Sequence, residues 1–203
     1  MKNKITYGLS NVHVWPITST SDAGVPTYGT KIKIPGAVEL KLDPEGSSDP
    51  FYADDDIYYQ GVANNGYKGT LTLADIPDDF NENVMGEIVD ANGARFEDAN
   101  VAPKEFAMAF EFKGDVSKRR HLLYRCKATR SSVSSSSKQD KVDPNKPELE
   151  FSAIPRLDNH YVKARAEEAD TAYADWYGTA PYEYAASQSG NPNSGSGSTD
   201  PQG

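Results

Sequence analysis

Phe106-Ala107-Met108-Ala109-Phe110-Glu111-Phe112-Lys113 is the stretch whose reading decides the fold class. Large apolar residues fall at every second position, with small or charged residues between them. A period of two belongs to an extended strand, whose successive side chains point to opposite faces. Phe106, Met108, Phe110 and Phe112 are therefore expected on one face, and Ala107, Ala109, Glu111 and Lys113 on the other. After Gly114-Asp115 the pattern resumes, with Leu122, Tyr124, Cys126 and Ala128 alternating with Leu123, Arg125 and Lys127.

Outward from this stretch the same period recurs from the start of the chain to about Arg165. Val12, Val14 and Ile17 predict a first strand, broken at Pro16. Ile32 and Ile34, then Val38, Leu40 and Leu42, predict a second run that bends or bulges at Pro35-Gly36, where one residue lacks a donor and the next frees the backbone. Ile57-Tyr58-Tyr59 and Thr70-Leu71-Thr72-Leu73 read as a hairpin joined through the turn signal Asn64-Asn65-Gly66. Leu149, Phe151 and Ile154, and then Tyr161-Val162-Lys163, supply the last strands.

One segment departs from the pattern. Asp75-Ile76-Pro77-Asp78-Asp79-Phe80 carries a capping residue, an early proline and acidic residues suited to a helix N-terminus. Phe80, Val84 and Ile88 recur every four residues, which predicts a helix from Pro77 to Val89, ended by Asn92-Gly93. The expected fold is mainly β with one flanking helix, a β-sandwich or small barrel. A single β domain over 1–186 is expected, with a long Ser-rich loop at 129–147 and a Gly/Ser/Asn/Pro tail of linker composition at 187–203.

Composition narrows the function classes. Of the 203 residues 37% are hydrophobic, and twelve tyrosines suit packing on sheet surfaces. The single cysteine, Cys126, has no partner for an internal disulfide and reads as a small buried hydrophobe. Met1-Lys2-Asn3-Lys4-Ile5 is basic without an apolar run behind it, so no signal peptide is read there, and no apolar stretch approaches the length of about 20 residues that a membrane helix needs. Synthesis in a reducing cytoplasm is expected. A net charge of −9 opposes a grip on phosphates. The charge is segregated: Asp43–Glu105 holds fifteen acidic against three basic residues, and Lys113–Lys146 ten basic against three acidic. Such blocks either cancel inside the fold or meet across a head-to-tail interface between copies.

Residue patterns that carry chemistry are sparse. His13, His121 and His160 lie far apart without metal-ligand spacing. Asp54-Asp55-Asp56 lacks the spacing of a calcium loop, and consecutive carboxylates on an extended chain point to opposite faces, so it reads as a solvated acidic turn. No phosphate-binding glycine loop, nucleophile elbow or Cys-x-x-Cys is present. No catalytic residue, metal ligand or cofactor site is assigned. Lys118-Arg119-Arg120 reads as a charged turn or a partner contact.

Tyr7-Gly8-Leu9-Ser10-Asn11-Val12-His13-Val14-Trp15-Pro16 resembles the opening of the major tail proteins of long, non-contractile-tailed phages of Gram-positive bacteria. Pro35-Gly36-Ala37-Val38-Glu39-Leu40 resembles their second strand. Asp54-Asp55-Asp56-Ile57-Tyr58 with Asn65-Gly66-Tyr67-Lys68-Gly69 is similar to their acidic loop and following hairpin, and Leu73-Ala74-Asp75-Ile76-Pro77-Asp78-Asp79-Phe80 to their approach to the helix. The resemblance spans roughly Tyr7 to Tyr184. It implies a β-sandwich or half-barrel of the tail-tube type, without enzymatic activity or cofactor. Six copies would close a ring, and rings would stack into the virion's tail tube, through whose lumen DNA passes without specific binding. Tape-measure, tail-tip and tail-terminator proteins would be the other partners, with assembly in the host cytoplasm. Candidate contacts between subunits are Asp54, Asp55, Asp56, Lys118, Arg119, Arg120, Lys138 and Lys141, and the Ser-rich loop is a candidate for ordering when rings stack. The other reading of the same composition is a β-sandwich carbohydrate-binding or adhesion module, with Trp15, Tyr58, Tyr59, Trp176 or Tyr177 as stacking platforms. A hydrolase with scattered carboxylates is the third.

Overall fold

A computed structural model describes residues 7–46, 48–53, 56–132 and 146–185, with the side chains of 48–53 and 56–62 excepted. In chain order these residues form β1 (Leu9–Thr20), β2 (Pro26–Tyr28), β3 (Ile32–Lys33), β4 (Ala37–Glu45), β5 (Ser48–Ala53), β6 (Asp56–Val62) and β7 (Gly66–Leu73). There follow α1 (Asp78–Phe80), widened into a π-helical turn over Asn81–Met85, then β8 (Ile88–Val89), β9 (Arg95–Phe96), β10 (Phe106–Phe112), β11 (Arg120–Ala128), β12 (Glu148–Ala153) and β13 (Lys163–Ala166). A short 3-10 turn at Thr171–Tyr173 begins the C-terminal segment. The protein is mainly β with one short helix, and the main sheet is antiparallel.

The main sheet runs β2-β1-β10-β11-β12-β7-β4. One bent segment connects its two edges. Ile32 and Lys33 pair with Val14 and His13 of β1, and the Ile34 N–H donates to the Val12 carbonyl at 2.9 Å. After the Pro35-Gly36 bend the chain pairs instead with β7, Leu40 opposite Leu71 and Glu45 opposite Gly66. The strands β1, β10, β11, β12 and β7, with β3–β4 bridging the gap, thus wrap around a single interior. That interior is filled by Val12, Val14, Ile34, Leu71, Leu73, Phe106, Met108, Phe110, Leu149 and Phe151. Phe80 and Val84 of the helix close one end, with the Phe80 ring edge-on to Phe106 at 5.5 Å.

A second core lies on the outer face of β1, β10 and β11. Trp15, Ala107, Ala109, Leu122, Tyr124 and Ala166 are covered there by Trp176. Both faces of β10 are therefore buried, which is why its small alternate residues are alanines rather than polar side chains.

Four local expectations are corrected. β1 continues through Pro16, whose carbonyl accepts from the Gly29 N–H at 2.7 Å. The helix ends at Met85, because Gly86 adopts a left-handed conformation (φ 83°) that stops it. Ile88, 54% exposed, belongs to the β8–β9 hairpin, whose turn is Asn92-Gly93. The hairpin expected between β6 and β7 does not form: β6 pairs with β5, and β7 with β12 and β4. Last, alternation in β11 is interrupted between Leu123 and Cys126, where the register against β10 shifts. Leu123, Cys126 and Ala128 face the interior, and Leu122 and Tyr124 the outer core.

Candidate functional site

The hairpin β5–β6 is the element that the barrel least requires. It pairs with itself and with no other described strand. Its two feet are already joined: Glu45 lies opposite Gly66, and the Asn65 N–H donates to the Glu45 carbonyl at 2.9 Å. β4 and β7 are thus a complete antiparallel pair from which residues 47–62 leave and to which they return. Gly66 makes the return possible. Its φ of 108° suits glycine, and a Cβ there would stand 1.9 Å from the Ala153 carbonyl oxygen.

Of the acidic triplet, Asp56 opens β6 opposite Ala53. Asp54 and Asp55 lie outside the described residues, as do Lys138 and Lys141, most of the Ser-rich loop and the tail at 187–203.

The basic triplet is engaged within its own chain. Lys118, in a left-handed conformation (φ 46°), pairs with Glu168 at the surface. Arg119 grips Asp115 through Nε–Oδ2 at 2.6 Å and Nη2–Oδ1 at 3.2 Å, and the Ser117 N–H also donates to this carboxylate. The Arg119 hydrogen bond holds the Asp115 carboxyl below the usual carboxylate range. Arg120 reaches Glu111 across the β10–β11 pair at 3.4 Å, donates to the Tyr173 carbonyl at 2.5 Å and lies 3.6 Å over the Tyr173 ring. Reversing all three charges would therefore damage the subunit itself and is no clean test of an interface. Arg125–Glu105 at 2.6 Å and Arg130–Glu97 at 2.5 Å are further contacts between the basic and acidic blocks, so part of the segregated charge cancels inside the fold.

The C-terminal segment forms a strap over the second core. Trp176 is 1% exposed, stacks on Tyr182 at 5.4 Å and donates to the His121 carbonyl at 3.3 Å. The Tyr124 hydroxyl donates to the Tyr182 carbonyl at 3.0 Å, and burial pushes its pKa up to about 12. Arg156 clamps the end: it binds Asp158 at 2.7 Å and Glu183 at 2.5 Å and is itself buried. Beside the strap an open cleft of about 570 Å³ runs along β13, walled by Tyr161, Tyr184, Trp176 and Ala172.

Trp15 and Trp176 are both buried, so neither offers a face to a sugar, and Tyr177 packs against His13 at 5.0 Å. His121 stacks on Phe110 at 5.2 Å, and burial lowers the pKa of both histidines. Burial likewise pushes the Cys126 thiol up. Among the described residues no three His, Cys, Asp or Glu side chains converge to hold a metal ion, and no helix is long and apolar enough to cross a membrane. Neither protein-family models nor curated proteins give a match to the chain.

Sequence reasoning singled out the acidic triplet but not the β5–β6 pairing that Asp56 opens. The available signal was the absence of any Lys or Arg between 47 and 62, together with the aromatics Phe51, Tyr52, Tyr58 and Tyr59. The cleft gave no local signal, because its walls come from both sides of β13 and from the strap.

Proposed function

We propose that this chain is a structural, non-catalytic subunit that assembles with copies of itself, as the tail-tube subunit of a long-tailed phage. The ordered segments from Tyr7 to Tyr184 that resemble the major tail proteins support this reading, and so does the antiparallel sheet with a helix at one end. One observation carries it: β5–β6 is an insertion into an already complete β4–β7 pair, and its backbone edges have no partner strand among the described residues. An unpaired strand edge is a template for another chain. In the tube, six copies would form each ring through two different faces of the subunit. Tape-measure, tail-tip and tail-terminator proteins would set length and ends, with DNA passing through the lumen.

Sedimentation velocity and negative-stain microscopy of the full chain test the reading. Rings or tubes are expected as concentration rises or when tape-measure and tail-tip proteins are added. A chain that stays monomeric under all of these conditions overturns it.

A further inference from the structure

The chain contains two Asn-Gly pairs, Asn65-Gly66 and Asn92-Gly93. Asparagine before glycine is prone to attack on its side-chain amide by the next main-chain nitrogen. Glycine has no side chain to obstruct that approach, and its backbone is free to make it. The fold treats the two pairs in opposite ways. Gly66 is buried at a φ of 108°, its N–H donates to Asn64 Oδ1 at 3.1 Å, and the Asn65 N–H is bound to the Glu45 carbonyl at 2.9 Å. This pair sits where β7 runs between β4 and β12, so freeing it requires breaking the main sheet.

Asn92-Gly93 lies instead at the tip of the β8–β9 hairpin. That hairpin consists of two residue pairs, Ile88 with Phe96 and Val89 with Arg95, and joins no other described strand. Ile88, Val89 and Phe96 are exposed, and a Cβ built on Gly93 meets no described atom within 4 Å. A two-stranded hairpin with so little burial opens locally without unfolding the domain. One side chain holds the turn: Asp90 Oδ1 accepts from the Asn92 N–H at 2.8 Å and from the Ala94 N–H at 2.7 Å. Among the described residues the Gly93 N–H is held by the Asp90 carbonyl alone, at 3.1 Å, and the Asn92 side-chain amide by a long contact of 3.5 Å to Asp90 Oδ2. Arg95 pins the base of the hairpin to the helix through Glu82 at 2.6 Å and Asp78 at 3.0 Å, so the freedom is confined to the tip.

We infer that Asn92 is a site of spontaneous deamidation whose rate is restrained by Asp90, whereas Asn65 is protected by the fold. When the turn opens, the Gly93 nitrogen gives up its proton and bonds to Asn92 Cγ, and the side-chain nitrogen leaves as ammonia. Water then opens the resulting succinimide at either carbonyl, leaving an aspartyl or an isoaspartyl linkage at position 92. One water is taken up and one ammonia released, with no oxidation or reduction. The product places a second negative charge beside Asp90, and the isoaspartyl form also lengthens the main chain by one carbon. Both changes work against the turn, and the second breaks the register of Val89 with Arg95. The inference stands apart from the reading of the chain as a self-assembling subunit.

Incubating the full chain under mildly alkaline native conditions, followed by peptide mass mapping and enzymatic methylation of isoaspartate, tests the inference. Asn92 is expected to convert roughly tenfold or more faster than Asn65. In concentrated urea, which removes the fold, the two are expected to convert at similar rates. Asp90→Ala, which takes away the bonds to the Asn92 and Ala94 N–H groups, is expected to speed conversion about threefold or more. Its melting temperature should stay near wild type, because those bonds lie in an exposed turn. Asn92→Gln is expected to abolish the mass gain in that peptide, since its longer side chain would have to close a six-membered ring. Native Asn92 that does not convert, or converts no faster than Asn65, overturns the inference. A preference for Asn92 that persists in urea belongs to the local sequence and overturns the protection assigned to the fold. Conversion no faster in Asp90→Ala overturns the restraint assigned to Asp90.

Discussion

Replacing Trp176 with alanine tests whether the strap belongs to the same cooperative unit as the barrel. The side chain is 1% exposed, its indole stacks on Tyr182 and its Nε1–H donates to the His121 carbonyl. A buried tryptophan removes roughly 200 Å² from water, which at about 25 cal/mol per Å² corresponds to about 5 kcal/mol, of which the alanine methyl retains a part. The hydrogen bond, at 3.3 Å, is long and adds about 0.5 kcal/mol. A net loss of about 3–5 kcal/mol is expected, as for other large-to-small changes in cores. For a chain of this length that lowers the melting temperature by roughly 6–20 °C. Urea denaturation followed by far-ultraviolet dichroism and by tyrosine fluorescence supplies the measurement, with Tyr184→Ala as the control. Tyr184 is 63% exposed, so its loss should cost under about 0.5 kcal/mol. A Trp176→Ala loss below about 1 kcal/mol refutes the second core as a stabilising element. Two separate transitions in the wild type would refute the strap's cooperation with the barrel.

Other outcomes follow from single contacts. Gly66→Ala places a Cβ within 1.9 Å of the Ala153 carbonyl at a φ of 108°, and a loss of about 3 kcal/mol or more in chemical denaturation is expected. Arg119→Glu leaves the Asp115 carboxylate facing a like charge and should lower stability by roughly 1–3 kcal/mol, whereas Lys118→Glu at the surface should leave the melting temperature near wild type. Equal effects of the two would refute the distinction. His121 resists protonation because it is buried on Phe110, while the unfolded chain binds that proton near pH 6.5. Stability should therefore fall as pH drops below about 6.5, until the folded ring protonates too, and His13 adds in the same direction. His121→Phe should flatten the pH dependence of the urea midpoint, and an unchanged slope counts against the assignment.

What the sequence reveals depends on whether its signals are local. At β10 the alternation is correct residue by residue, because both of its faces are buried and differ only in size. In β11 the same rule fails after Leu123: Leu122 and Leu123 are both apolar, so nothing local marks the shift that turns Cys126 inward. The spacing of Phe80 and Val84 correctly gives the buried helix face. Ile88 continues the spacing but not the helix, since the stop signal that acts is Gly86 and not Asn92-Gly93. The turn at 64–66 is also real, yet it leads from an inserted hairpin into β7, whose partners β12 and β4 are set by distant pairing. The ion pairs divide in the same way. Asp115 is four residues from Arg119 and Glu111 faces Arg120 across one hairpin, whereas Glu168 reaches Lys118 only because β13 pairs with β11.

The division of charge between fold and surface has a consequence for assembly. Arg156 with Asp158 and Arg119 with Asp115 are shielded from solvent on at least one side, so salt screens them little. Exposed pairs such as Lys118 with Glu168 and Lys41 with Asp43 are screened fully, as are exposed charges that meet between copies, the Debye length falling from about 8 Å at 0.15 M to about 3 Å at 1 M. If copies of the chain find one another through charge, raising sodium chloride from 0.05 to 0.5 M should slow association by about tenfold or more, with little change in the monomer's melting temperature. Light scattering after a concentration jump measures the rate, and calorimetry the stability. Apolar contact between copies pulls the other way, because salt does not weaken it. Association that is indifferent to salt, or faster in it, would mean that apolar contact governs assembly. The segregation of acidic and basic residues along the chain would then serve the fold, through pairs such as Arg125 with Glu105, and not the contact between copies.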